Sequence, residues 1–219
     1  MEMILNDSEA RVLACLMEKE MTTPEYYPLT LNALTNACNQ KSNRDPVMGL
    51  DEESVVRALD GLRLKQLVVL AADGGRTQKY RHLLAERLRL VPSELALLCE
   101  LLLRGPQTQG ELRTRAERMH AFADLAAVEE TLRELMEREE PLVTKIARQP
   151  GHKEARYAQL FTGEPLPCPM ERSPPPEAAR VRVMEENQRV SQLEEQVVCL
   201  REEVDLLRRM VEEFKRQFE

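Results

Sequence analysis

Ser8-Glu9 opens an apolar pattern of helical period, with Val12, Leu13, Leu16 and Met17 on one face. Ser93-Glu94 opens the same pattern again with Leu97, Leu98, Leu101 and Leu102. The correspondence continues along the chain. Pro28-x-Thr30 followed by Leu34 recurs as Pro106-x-Thr108 followed by Leu112, and Val55, Leu59 and Leu62 recur as Val128, Leu132 and Leu135. Leu67-Val68 leads through Gly74-Gly75 to Lys79-Tyr80, as Leu142-Val143 leads through Gly151 to Arg156-Tyr157. Four segments corresponding in order read as one plan stated twice, against the alternative of two unrelated helical hairpins with incidental likeness.

In the first copy, Asp7 or Ser8 is positioned to cap a helix running to about Glu20. A short second helix fits Thr30 to Asn39, and a third starts near Leu50-Asp51, where acidic residues suit the positive end of a helix dipole. Leu67 to Leu70 is a β-type run, Gly74-Gly75 turns the chain, and Thr77 to His82 return with alternating character. The second copy places helices at 93–103, 108–119 and 124–138 and strands at 142–147 and 154–160, with Gln149-Pro150-Gly151-His152 as the turn. Three helices followed by a hairpin is the winged-helix order, a variant of helix-turn-helix. The expected class is therefore mainly α with small β-hairpins, an α+β arrangement of two tandem winged-helix domains at residues 1–90 and 91–163.

Residues 164–179 form a proline-rich linker, with six prolines between Glu164 and Pro176 that favour a stiff, extended chain. Beyond it, residues 180–219 carry Val183, Val190, Val197, Val204, Val211 and Phe218 every seven residues, while Leu193, Leu200, Leu207 and Phe214 fill the matching d positions. Val at a with Leu at d suits a parallel two-stranded coiled coil, and Arg189 facing Glu194 or Glu203 facing Arg208 of a second copy agrees with it. Glu186 interrupts the first d position, so the expected seam is Val190, Leu193, Val197, Leu200, Val204, Leu207, Val211 and Phe214. The stripe is narrow and follows a triple proline. Both features favour a homodimer over a helix folded back on its own lobes.

The net charge of −7 is spread unevenly: residues 1–90 carry 12 basic against 13 acidic groups, residues 91–163 carry 10 against 12, and residues 164–219 carry 9 against 13. No domain has the basic excess of a protein that grips nucleic acid along a broad face, so any such site is a local patch. The five cysteines, Cys15, Cys38, Cys99, Cys168 and Cys199, have no CxxC or Cys/His spacing, which points to free thiols in a reducing compartment. No run approaches the length of a membrane span and no signal-peptide pattern opens the chain, so cytoplasmic location is the default and no membrane partner is expected.

Little of the chain carries reaction chemistry. His82, His120 and His152 lie in different segments without metal-ligand spacing, and no phosphate-cradling glycine loop or nucleophile elbow is present. No catalytic residue, metal or cofactor is expected, and an enzyme is the least supported class.

The third helices are acidic: Asp51-Glu52-Glu53 opens one, and Asp124, Glu129, Glu130, Glu134 and Glu137 oppose Arg133 and Arg138 along the other. Basic and polar groups gather elsewhere. The connection after the second helix offers Lys41, Asn43 and Arg44 as donors without a core to belong to. The second domain adds Arg113, Arg115 and Arg118 on its second helix and Lys145, Arg148, His152, Lys153 and Arg156 around its wing. For each of these residues taken singly, solvated surface charge is the alternative.

The strings SEARVLACLMEK at Ser8 to Lys19, TTPEYYPL at Thr22 to Leu29, ACNQKSNRDPVM at Ala37 to Met48 and LLLRGPQTQGELR at Leu101 to Arg113 resemble the YceH-like family of bacterial proteins. The resemblance spans both domains and implies tandem winged-helix domains ending in a short coiled coil. It brings no substrate, cofactor or catalytic residue with it. Two function classes remain open: a dimeric DNA-associated regulator touching phosphates through its wings and the Lys41 to Arg44 loop, and a protein-interaction adaptor whose coil sets spacing.

Overall fold

A computed structural model describes residues 4–71, 77–146 and 154–163, all within one unit, Met1–Pro167. It is mixed α/β and mainly helical, with two small antiparallel sheets. The first helix, α1 (Asp7–Thr22), is capped one residue earlier than the sequence suggests. Asn6 Oδ1 accepts the Glu9 N–H at 2.9 Å, and the Glu9 carboxylate accepts the Asn6 N–H at 2.9 Å, so both orphan donors are satisfied reciprocally.

Every residue of α1 from Glu9 to Glu18 is buried, although its apolar period marks only one face. The reason lies outside its own lobe. Helix α5 (Pro92–Arg104), buried from Glu94 to Leu103, packs along α1, so the helix opening each copy of the repeat shields the other from water. A single apolar core results, running from Leu5 through Leu13, Leu16, Leu97 and Leu101 to Phe161.

The first lobe continues with β1 (Leu29–Thr30), α2 (Leu31–Cys38), α3 (Glu52–Leu64), β2 (Val68–Leu70) and β3 (Lys79–His82). The sheet order is β1-β3-β2, with Leu29 opposite Tyr80 and Val69 opposite Arg81. Sequence periodicity anticipates neither β1 nor the short helix α4 (Leu84–Leu88) that leads into the second lobe. That lobe holds α5, α6 (Gln109–Ala116), α7 (Leu125–Met136), β4 (Val143–Ile146) and β5 (Arg156–Gln159). Helix α6 ends three residues sooner than expected, which leaves Arg118 beyond its C-terminus.

The repeat recurs at the level of single contacts. Thr30 caps α2 as Thr108 caps α6, and Asp51 caps α3 as Asp124 caps α7. Glu9 reaches forward to Lys65 at 2.6 Å, while its counterpart Glu94 pairs with Arg138 at 3.2 Å. Each of these pairs ties the opening helix of a lobe to the end of its third helix. The Leu29–Tyr80 pairing is mirrored by an isolated bridge between Gln107 and Tyr157. Gly61 leaves room for this arrangement, since a Cβ there would lie 2.1 Å from Oε1 of Glu9 and displace its carboxylate.

A buried ion cluster and the candidate binding faces

Where α1 and α5 pack together, two fully buried carboxylates, Glu18 and Glu100, face a set of arginines. Arg44 comes from the loop after α2, and its side chain is completely buried. Its Nη2 lies 2.5 Å from Glu18 Oε2, Nη1 donates to Glu18 Oε1 at 3.1 Å, and Nη2 also donates to the Ala37 carbonyl at 3.0 Å. Arg118 bridges the lobes, 2.5 Å from Glu18 and 3.0 Å from Glu100. Arg104 lies 3.2 Å from Glu100 and donates to Asn43 Oδ1 at 2.5 Å. Burying such charges is costly unless they are paired. Both carboxylates are, Glu18 with hydrogen bonds from Arg44 and Glu100 with one from Arg118, while Glu100 Oε2 and Arg104 Nε are ion-paired without a hydrogen bond.

Burial pushes the Glu18 carboxyl up, but hydrogen bonds and charge from Arg44, with Arg118 and Lys19, outweigh it and hold Glu18 below the usual carboxylate range. Burial pushes Arg44 down, and Glu18 together with Cys15 more than restores it. Linkage then fixes the sign: a carboxylate depressed in the folded state contributes stability above its unfolded pKa and loses it as pH falls through the folded value. The urea midpoint of the protein should therefore drop between pH 5 and pH 3, and a Glu18→Gln variant, lower at pH 7, should show a shallower drop. Parallel pH curves for the two proteins would remove Glu18 from the account.

This arrangement revises the sequence expectation for the loop. Arg44 is not a free donor on the surface, because Glu18 and the Ala37 carbonyl draw it into the core. Asn43 is occupied with Arg104, Arg118 belongs to the same cluster, and Lys41 alone of the three loop candidates is exposed. Arg113 is exposed and donates to the Ala123 carbonyl at 3.1 Å.

A second group forms beside α6 and the β4–β5 hairpin. Arg115 and Arg156 flank Glu111, at 3.3 and 3.9 Å, while Arg115 also donates to Gln107 at 2.7 Å and Arg156 to the Pro106 carbonyl at 3.0 Å. The Lys145 ammonium stands 5.7 Å from the centre of the Tyr157 ring, whose hydroxyl accepts from Gln109 at 3.0 Å. Arg148, His152 and Lys153 lie outside the described residues, as do all eight seam positions from Val190 to Phe214.

The exposed faces of the third helices have the opposite sign. On α7, Leu125, Glu129, Glu130, Arg133 and Glu134 face solvent, and Arg133 is paired with Glu130 and lies 4.0 Å from Glu137. On α3, Glu52, Glu53, Val56, Arg57, Asp60, Arg63 and Leu64 do, with Arg57 3.1 Å from Glu53 and Arg63 3.5 Å from Asp60. Among the described residues no group of His, Cys, Asp and Glu is placed to hold a metal ion, and no helix is long and apolar enough to cross a membrane.

Two lobes sharing a core, each with a short sheet and an acidic third helix, define a mixed α/β class. Within that class the chain belongs to the bacterial family described as "Protein of unknown function, DUF480", whose model matches residues 5–152, in agreement with the resemblance drawn from the sequence. It is 68% identical to a "UPF0502 protein" of Geotalea uraniireducens, 69% identical to one of Pelobacter propionicus and 66% identical to one of Geobacter sulfurreducens, each over 219 residues and the full length of both chains.

Proposed function

We propose that the chain is a non-catalytic, dimeric binding protein whose lobes are winged-helix units and whose ligand is another protein. Three helices followed by a hairpin, with a bridge from the segment before the second helix onto the last strand, support the winged-helix reading of each lobe. The observation that carries the choice of ligand is the charge of the third helices. In a winged helix this is the element that enters a DNA groove, and here its exposed cations are already paired with neighbouring carboxylates. Phosphate is repelled by such a face, whereas a basic helix or flexible basic segment is attracted to it. Val56, Leu64 and Leu125 add exposed apolar contact beside the charge. The heptads beyond the linker would pair two copies and set the spacing between their binding faces.

The test is a pull-down from bacterial extract with wild-type protein and with Glu130→Gln/Glu134→Gln, beside a titration of wild type against mixed-sequence duplex at low and moderate salt. The expected outcome is a captured protein that the double variant no longer retains, and no salt-dependent duplex binding.

One observation favours a second reading, a DNA-associated regulator: Arg115, Lys145 and Arg156 gather around Tyr157 and Glu111, and Arg148 and Lys153 belong to the same wing by sequence. On that reading wild type binds duplex, and replacing Lys145, Arg148 and Lys153 by Ala lowers the slope of log affinity against log salt by about 0.9 for each phosphate that is no longer neutralised. That result would overturn the protein-ligand reading.

A further inference from the structure

Helix α4 begins without the usual cap. Its N-cap residue, Leu83, has no side-chain acceptor, and the N–H of Leu84, the first helical residue, is donated instead to Nδ1 of the His82 imidazole at 3.3 Å. His82 is the last residue of β3, and its side chain is 1% exposed. Its backbone N–H donates to the Tyr27 hydroxyl at 2.8 Å, and the Tyr27 ring stands edge-on to the imidazole. The other ring nitrogen, Nε2, lies 2.7 Å from Glu20 Oε2 of α1, an ion-pair distance without a hydrogen bond. Both lobes converge on α4. Arg87 donates to the Lys65 carbonyl just after α3, and Arg138 of the second lobe donates to the Leu88 carbonyl.

These contacts assign the proton. A ring nitrogen that accepts an N–H carries no hydrogen itself, so Nδ1 is bare and the neutral ring is the Nε2–H tautomer. The two nitrogens then respond oppositely to a second proton. On Nδ1 it sets N–H against N–H and ends the bond to Leu84, whereas the imidazolium so formed is attracted to Glu20. The other ionisable group facing the ring is Tyr27, whose hydroxyl burial pushes well above its ordinary value and keeps neutral. Strand β2 places apolar Val68 opposite His82. Lys79 and Arg81 lie on the other face of β3, where Arg81 is paired with Glu86 of α4 at 2.8 Å.

We propose that His82 is a pH-responsive latch on the connection between the lobes, holding the first turn of α4 when its ring is neutral and releasing it when the ring is charged. Leu84 is fully buried and its N–H covers Nδ1, so the second proton enters only as that turn moves away. Charging the ring and freeing α4 are therefore one event, and Glu20, which is half-exposed on α1, favours it by holding the imidazolium. The latch is closed at higher pH and opens as pH falls through the range in which histidine gains its charge, from about pH 8 to about pH 5. Because Arg138 is tied to the far end of α4, release of the first turn is felt at the end of α7 in the second lobe.

The experiment is ring and amide NMR on the isotope-labelled full-length protein across that range. At its upper end the nitrogen chemical shifts of His82 should report the Nε2–H tautomer. Toward its lower end both nitrogens should become protonated, and protection of the Leu84 amide against hydrogen exchange, corrected for the intrinsic rate, should fall about five-fold, the change that losing one capping bond represents. Protection of Leu13, in the middle of α1, should stay constant. Glu20→Gln, which lacks the attraction for the imidazolium, should move both changes together to lower pH and leave the neutral tautomer as it is. His82→Gln should make Leu84 protection independent of pH; should that variant not fold, Glu20→Gln carries the test. An Nδ1–H tautomer in the neutral ring, a ring that charges while Leu84 protection stays constant, or a ring still neutral at about pH 5 would overturn the proposal.

Discussion

Replacing Arg44 by methionine lowers the unfolding free energy by about 3 kcal/mol, the low end of what removing one partner of a buried ion pair costs. The size follows from what the change leaves behind. Glu18 is fully buried and stays ionised at neutral pH, and the substitution takes away its two hydrogen bonds from Arg44. Arg118 still reaches Glu18 from the second lobe, which keeps the destabilisation from the top of the range. An exposed pair offers the contrast: Arg57→Ala, next to Glu53, should cost no more than about 0.5 kcal/mol. Removing the stranded carboxylate as well, with Arg44→Met/Glu18→Leu, should recover much of the stability, because an apolar pair of similar volume avoids the desolvation cost. Urea unfolding at pH 7 measures all three. A decrease below about 1 kcal/mol for Arg44→Met would mean that Arg44 is solvated, as its loop reads in the sequence.

That misreading shows which parts of the molecule local pattern can carry. The helices other than α4 were legible because each buries apolar residues at helical spacing, and the caps at Thr30, Asp51, Thr108 and Asp124 sit where polar residues precede those stripes. The acidity of α3 and α7 is equally plain, since exposed residues need no partner to show their sign. The stretch from Asn39 to Pro46 reads as a solvated loop because polar residues there have no period. The burial of Arg44 within it depends on Glu18 from an earlier helix, which Arg118 of the other lobe also holds, pairings that leave no periodic trace.

The same limit hid Glu18 and Glu100 themselves. Each lies where its own helix, taken alone, would face water, and becomes internal only because α1 and α5 cover one another. Strand β1 has two residues and α4 has five, too short for either period to register. The repeat held a usable signal all the same. Pro28-x-Thr30 and Pro106-x-Thr108 coincide with the two places where the chain bridges to Tyr80 and Tyr157.

The other large expected effect concerns the heptads that follow the proline linker. If Val197 and Val204 occupy a positions of a parallel two-stranded coil, Val197→Asp/Val204→Asp places four carboxylates in one seam, two from each copy. An unpaired buried ion costs several kcal/mol, and even one such layer outweighs the few tenths of a kcal/mol available from flanking pairs such as Arg189 with Glu194. Light scattering after size exclusion at micromolar concentration should report a dimer for wild type and a monomer for the double variant. The two lobes should stay folded in both, because the core from Leu5 to Phe161 is built from residues of the lobes themselves. Thermal unfolding followed by circular dichroism should accordingly show the same cooperative transition for the lobes. A monomeric wild type would remove the coil from the proposed architecture, and a lobe transition that disappears together with the dimer would mean that the tail stabilises the lobes directly.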